Sequence, residues 1–329
     1  ARALDHIAEA ARRVAPQSRL GRRLAGDGLD RHATMAQLRA LAEFAEAGSF
    51  SAAARAMGVT EPAVQRAARE IERLLGAPLF DGANRALRLT PAGETVAALA
   101  GRAIKEIGSA FDELREREGR YDGRLVIGTL PLARTRLVPE AVAALIGRHP
   151  QARIEIIDGA YSALVRSLRN GSCDLIVGAL RETARPAGLT EIRLFDDSLA
   201  IVARAGHPLA GRPVAPGELS AHPWVLPRRD TPARAVFDRL DAQSRIADPA
   251  RGHVETGSLV ALRGVLIASD AVSIISPRQI DHELRQGLLV LLDLALPDTA
   301  RPIGISMLDD WRPTALGADF LECLRRAAE

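Results

Sequence analysis

The sequence predicts a winged helix-turn-helix at the N-terminus, joined by one long helix to a C-terminal α/β domain. Three observations carry that expectation. Gly48 to Gly93 reads as helix, tight turn, helix and basic hairpin; Thr90 to about Arg120 keeps an apolar seam at spacings of three and four; and the remainder alternates short apolar runs with amphipathic stretches.

The chain begins with an Arg-, Ala- and Gly-rich extension, 1–33, in which Leu4, Ile7, Ala8, Ala11 and Val14 sit at helical spacing before Pro16. Its clustered Arg12, Arg13, Arg19, Arg22 and Arg23 suit an arm on DNA, a docking helix or a mobile tail. Met35–Ala47 follows as an amphipathic helix with Leu38, Leu41, Phe44 and Ala45 on one face, closed by Gly48. Ser49 or Ser51 can cap a short helix, Ser51 to Met57, which Gly58 ends in the left-handed conformation. Thr60 is then the cap of a third helix with Pro62 in its first turn, where a missing N–H costs nothing. Val64, Ala67, Ala68, Ile71, Leu74 and Leu75 form its apolar stripe, and Glu61, Gln65, Arg66, Arg69 and Arg73 its polar face. Two short strands, 77–80 and 86–90, enclose a turn-rich tip that carries Arg85, making a wing. Two helices so closely joined, with a wing beside them, are built to read a DNA groove. Thr60, Glu61, Pro62, Gln65, Arg66, Arg69, Arg85 and Arg88 are the candidate DNA contacts.

Glu94 completes a capping signature with Thr90 and Pro91, and Ala92, Val96, Leu99, Ala103, Ile107, Ala110 and Leu114 extend the seam of the long helix. A seam of that length pairs with another helix, and two paired copies suit a dyad-symmetric operator. Beyond it, strands are expected near 125–128, 154–157, 175–177, 199–202, 224–226, 272–275 and 288–292, with helices such as Leu137–Arg148 and Tyr161–Asn170 between them, in mainly parallel sheets.

Composition fits a globular chain. At 329 residues and 47% hydrophobic content it is long enough for two or three domains, and no apolar run approaches the roughly 20 residues that span a bilayer. No secretory pattern opens the chain as given, and Cys173 and Cys323 do not suggest a disulfide framework, so the cytoplasm is the expected compartment. The net charge of +3 and pI near 9.3 are compatible with nucleic acid but spread along the chain. Lys105 is the single lysine, and the arginine excess otherwise carries no functional message.

Gly48 to Phe80, followed by RLTPAGE at 88–94, resembles the winged helix-turn-helix of LysR-type transcriptional regulators. The resemblance implies a linker helix, a two-lobed periplasmic-binding-protein-like effector domain, dimers or tetramers, and no cofactor. It divides the chain into the 1–33 extension, a DNA-binding domain at 34–92, a linker at 93–120 and an effector domain at 121–329. The first lobe takes about 121–203 and 295–329 and the second about 204–294. The extension departs from the family, whose chains usually start near the position of Met35. TLPLARTRLVPE and DGAYSALVRSLRNGSCDLIVGAL are further similar to LysR-type regulators of a galactose-binding protein.

In α/β sheets ligands bind beyond the carboxyl ends of strands, where helix N-termini face the cleft. That rule nominates Thr129, Leu130, Arg134, Tyr161, Gly178, Leu180, Arg228, Thr256, Ser258 and Ser276 for a small polar or anionic effector, a sugar or an organic acid. Arg181 and Arg229 add charge. The alternatives are a C-terminal domain that only oligomerises, a solute-binding protein or an enzyme. The seven histidines show no HExxH spacing, His253-x-Glu255 is too little for a metal, and neither a Walker loop nor a nucleophile elbow occurs. Ser258, His253 and Asp270 are the residual candidates for a hidden triad.

Overall fold

The computed structural model describes residues 33–82, 87–118, 122–181, 185–229 and 231–329. Extension residues 1–32 and the wing-tip Arg85 lie outside them.

Helix α1 (Met35–Ala47) starts on a reciprocal cap: the Thr34 hydroxyl accepts from the Gln37 amide while the Gln37 side chain accepts from the Thr34 amide. Gly48, at φ 71°, ends it, and Ser49 caps α2 (Phe50–Met57). Gly58 turns the chain into α3 (Glu61–Leu75). Thr60 occupies the cap position there but its side chain makes no capping bond; Pro62 and Glu61, acidic at the positive helix end, sustain the start instead. The wing strands are shorter than expected, β1 (Phe80–Asp81) and β2 (Arg88–Leu89), paired antiparallel. One core holds these pieces, with Phe44, Phe50 and Phe80 clustered at centroid separations of 4.6–5.5 Å.

Thr90 caps α4 (Pro91–Arg117), which runs 27 residues from the winged unit onto the α/β domain. Its docking is polar and close. Lys105 pairs with buried Asp174 at 3.0 Å, and Arg102 with Asp310. A side chain at Gly101 would collide with the Asn170 carbonyl. Near its end, Glu116 accepts from the Ala315 and Leu316 amides at 3.1 and 3.3 Å, covering the N-terminus of the last helix.

The first lobe contains β3 (Arg124–Thr129), α5 (Leu137–Arg148), β4 (Arg153–Asp158), α6 (Tyr161–Arg169), β5 (Leu175–Ala179) and β6 (Leu189–Asp197). The second contains β7 (Ala200–Arg204), β8 (Trp224–Leu226), α7 (Pro232–Ser244), β9 (His253–Glu255), α8 (Leu259–Ala268), β10 (Val272–Ile275), α9 (Asp281–Arg285) and β11 (Leu289–Leu291). The chain then returns to the first lobe as β12 (Arg301–Leu308) and α10 (Ala315–Ala328). The sheet orders are β4-β3-β5-β12-β6 and β11-β7-β10-β8-β9. Each has two parallel and two antiparallel pairings, so the sheets are mixed rather than mainly parallel. The antiparallel half comes from the crossings: β6 and β12 belong to the first sheet and β7 and β11 to the second. The chain leaves the first sheet at Asp197, earlier than the Arg204 expected, and re-enters it at Arg301, later than Leu294. Helices cover both faces of each sheet, α5 and α10 against α6 in the first lobe and α7 against α8 in the second.

Candidate DNA interface and effector cleft

The residues nominated for DNA on α3 lie along its N-terminal half. Thr60, Glu61, Pro62, Gln65 and Arg66 are all exposed there, as is Arg88 on the wing strand. Arg69 differs. Its guanidinium bonds to Glu72 at 2.7 Å and lies 4.7 Å from the Phe80 ring centroid, so it joins α3 to the wing. Glu72 completes the joint by accepting from the Leu79 and Phe80 amides at 2.9 and 3.2 Å. Burial pushes its carboxyl pKa up, but Arg69 and the two amides outweigh burial and leave it below the ordinary value.

Between the lobes lies a cavity of about 590 Å³, within the roughly 300–1,000 Å³ usual for small-molecule sites. Of the nominated residues, Leu130, Arg134, Tyr161, Arg228, Thr256 and Ser258 line it. Thr129, Gly178, Leu180 and Ser276 are not in its wall, and each has another structural assignment. The Thr129 hydroxyl donates to the Ile157 carbonyl at 3.1 Å, and the Ser276 hydroxyl to Asp197 at 2.6 Å. Gly178, at φ 154°, leaves room that the Leu130 side chain fills, and the Leu180 amide donates to the Pro302 carbonyl at 2.9 Å. Ser258 caps α8, accepting from the Ala261 amide at 3.3 Å, while Asp270 is held by Arg204 at 2.8 Å; these bonds engage two of the three residual triad candidates.

Charge in the wall is one-sided. Arg134, Arg181, Arg228 and Arg301 line it with a single carboxylate, Asp158, and Arg301 is also paired with Asp197 just behind the wall. Arg134 donates to the Thr129 carbonyl at 3.0 and 3.3 Å and pairs with Asp158 at 3.4 Å. Burial nonetheless pulls its pKa down by more than the Asp158 charge raises it. Arg181 lies 4.8 Å from the Tyr161 ring centroid, and burial followed by the Glu191 charge pushes the Tyr161 phenol up. The N-termini of α6, α7 and α8 also meet here, through Ala160–Tyr161, Thr231–Ala233 and Ser258–Val260.

Sequence reasoning missed Thr231, Gln279 and Arg301. A signal existed for the first, because Thr231-Pro232 is a helix-start signature and the Thr231 hydroxyl caps α7. Arg301 opens a strand that was not expected, so no strand-end rule pointed to it.

Comparison with known proteins agrees with this architecture. Residues 35–94 match the bacterial regulatory helix-turn-helix protein, lysR family, and residues 118–329 the LysR substrate binding domain. The chain is 31% identical over 290 residues to the HTH-type transcriptional regulator GalR of Pseudomonas putida, covering 88% of this chain and 73% of the relative. It is 29% identical over 306 residues to PcaQ of Agrobacterium fabrum, covering 91% and 96%. Among solved structures, a full-length cysteine variant of OxyR from Pseudomonas aeruginosa superposes with a TM-score of 0.68 at 23% identity, over 90% of this chain and 95% of that one. CbnR, a LysR family transcriptional regulator, does so at 0.60 and 21%, over 90% and 99%. The chain therefore belongs to the LysR family: it is a DNA-binding transcriptional regulator with a C-terminal effector-binding domain, and not an enzyme.

Proposed function

We propose that this regulator senses a small organic anion in the interlobe cleft and reads its operator, as a homodimer or a tetramer built from dimers, through the exposed face of α3. The observation that carries the reading is the cavity wall, where four arginines face one carboxylate. Three helix N-termini favour negative charge in the same place. An acid is supported over a neutral sugar by the same arginines, whose charge-assisted donors suit a carboxylate. Pairing through α4 is supported by Ile107, Phe111 and Leu114, which keep helical spacing yet are 40–60% exposed. A dimer joined there matches a dyad-symmetric site. The protein would work beside the chromosome in the cytoplasm; no described helix is long and apolar enough to cross a membrane.

The test is thermal unfolding of the full chain with benzoate, succinate, galactonate and galactose. Binding by a carboxylate should raise the midpoint, by the equivalent of about 2.7 kcal/mol at a hundredfold excess over Kd, while galactose leaves it unchanged. A shift with galactose alone would replace the acid by a sugar. No shift with any compound, and no effect on operator binding, would favour a C-terminal domain that serves assembly alone.

A further inference from the structure

Both crossings between the lobes converge on one buried carboxylate. Asp197 is the last residue of β6 and Arg301 the first of β12, and the two are register partners. Arg301 donates through Nε and Nη2 to one Asp197 oxygen at 3.1 and 2.9 Å. The other oxygen accepts at 2.6 Å from the hydroxyl of fully buried Ser276, which follows β10 of the second lobe. A first-lobe carboxylate thus pins the second lobe while sharing a cation that belongs to the cleft wall. A second contact crosses beside it, the Arg278 guanidinium standing 4.4 Å from the Phe195 ring centroid. The Asp197 side chain is 3% exposed and that of Arg301 13%. The remaining terminal nitrogen of Arg301 has no hydrogen-bond partner among the described residues. A buried carboxylate is tolerated only while its partners stay in place.

We infer that Arg301 is the residue through which an anionic effector acts on the hinge, with Asp197 as its resting counter-ion. This rests on the anionic reading of the cleft. An incoming carboxylate takes donors on Arg301 that Asp197 holds in the empty protein. Asp197 is then less fully compensated, the Ser276 pin weakens, and the ligand favours a different angle between the lobes. Differential affinity of this kind is what a ligand needs to shift a conformational equilibrium. Asp197 and the effector therefore compete for one guanidinium.

Competition makes a prediction that a structural ion pair does not. Benzoate and succinate, with benzamide and succinamide as neutral controls, are titrated by calorimetry into the full-length wild type, Arg301→Gln, Asp197→Asn and the double variant. Arg301→Gln should weaken carboxylate binding about tenfold, the scale of one lost charge-assisted bond. Asp197→Asn should tighten it severalfold, because the internal competitor is gone. The double variant buries no uncompensated charge, so it guards against a folding defect in Arg301→Gln and should bind as weakly. Hydrogen exchange at 198–200 and 293–300 should respond to carboxylate in the wild type and not in Arg301→Gln. If both single variants weaken binding alike, or if Arg301→Gln binds as wild type does, the inference is overturned while the anionic cleft stands. If neither carboxylate binds the wild type, the anionic reading falls and this inference with it.

Discussion

Single side chains decide where charge and hydrogen bonds are already committed, and Glu72 is the clearest case. Its carboxylate satisfies two backbone amides at the root of the wing and holds Arg69. Glu72→Ala leaves those donors unpaired and should cost about 1–3 kcal/mol, measured by denaturant unfolding. Its pKa in the folded protein lies below the ordinary 4.5. Its stabilisation is therefore complete above the unfolded pKa and is lost as pH falls from 4.5 through the folded value. Stability of the wild type should accordingly drop more steeply through that acid window than stability of Glu72→Ala, and equal slopes would contradict the assignment. Cys173 illustrates the opposite outcome. Burial, and then the Asp174 charge, push its thiol up to about 12, so the nucleophilic thiolate is nearly absent at neutral pH. Iodoacetamide at pH 8 should leave Cys173 intact in the native protein and modify it in denaturant, as peptide mass spectrometry would report.

At the scale of elements, α3 and α4 carry the predictions. Glu61 accepts where a glutamine would both donate and accept, so it favours cytosine N4 over the adenine edge. Selection of bound duplexes by wild type and Glu61→Gln should return different half-site preferences, and identical ones would remove Glu61 from the readout. Arg66→Ala should weaken binding to all duplexes alike and lower the salt-dependence slope by about one, if it grips a phosphate. On α4, Phe111→Glu places like charges in the exposed seam and should raise the dimer dissociation constant about tenfold or more, which sedimentation would detect. The helices α1 to α4 were legible in the sequence because serine or threonine starts, glycine stops on the first three and apolar stripes agree along them. Strands β6, β9 and β12 were not. β6 mixes buried, half-buried and exposed positions without clean alternation, β9 is exposed throughout, and Pro302 and Gly304 interrupt the apolar run of β12. The mixed sheets were invisible for the same reason, since β6 and β12 supply the antiparallel pairings of the first lobe. In the cleft, strand ends located the region, but a side chain such as Ser276 can turn toward the hinge as readily as toward a ligand, and only tertiary contacts decide which.

Across the whole molecule, the hydrogen bonds and ion pairs among the described residues tie the winged unit and α4 to the first lobe rather than to the second. Lys105, Arg102 and Glu116 fasten α4 to the first lobe, and Glu46 of α1 accepts from Ser172 of the same lobe at 2.9 Å. The second lobe is joined to this frame by the two crossings and by the Ser276–Asp197 and Arg278–Phe195 contacts. The Lys105 anchor has a practical consequence. Because the sequence has no other lysine, a lysine-specific endoproteinase has one place to cut, and an amine-reactive dye one side chain to label. That amine sits in the middle of a helix, paired with a buried aspartate. Cleavage needs the helix to open locally, so its rate reads out directly how often α4 lifts from the first lobe. Asp174→Asn should speed the cut without adding a second one, and a tightly bound effector or operator that locks the frame should slow it. The protein thus carries its own single-site clock for the opening of this helix.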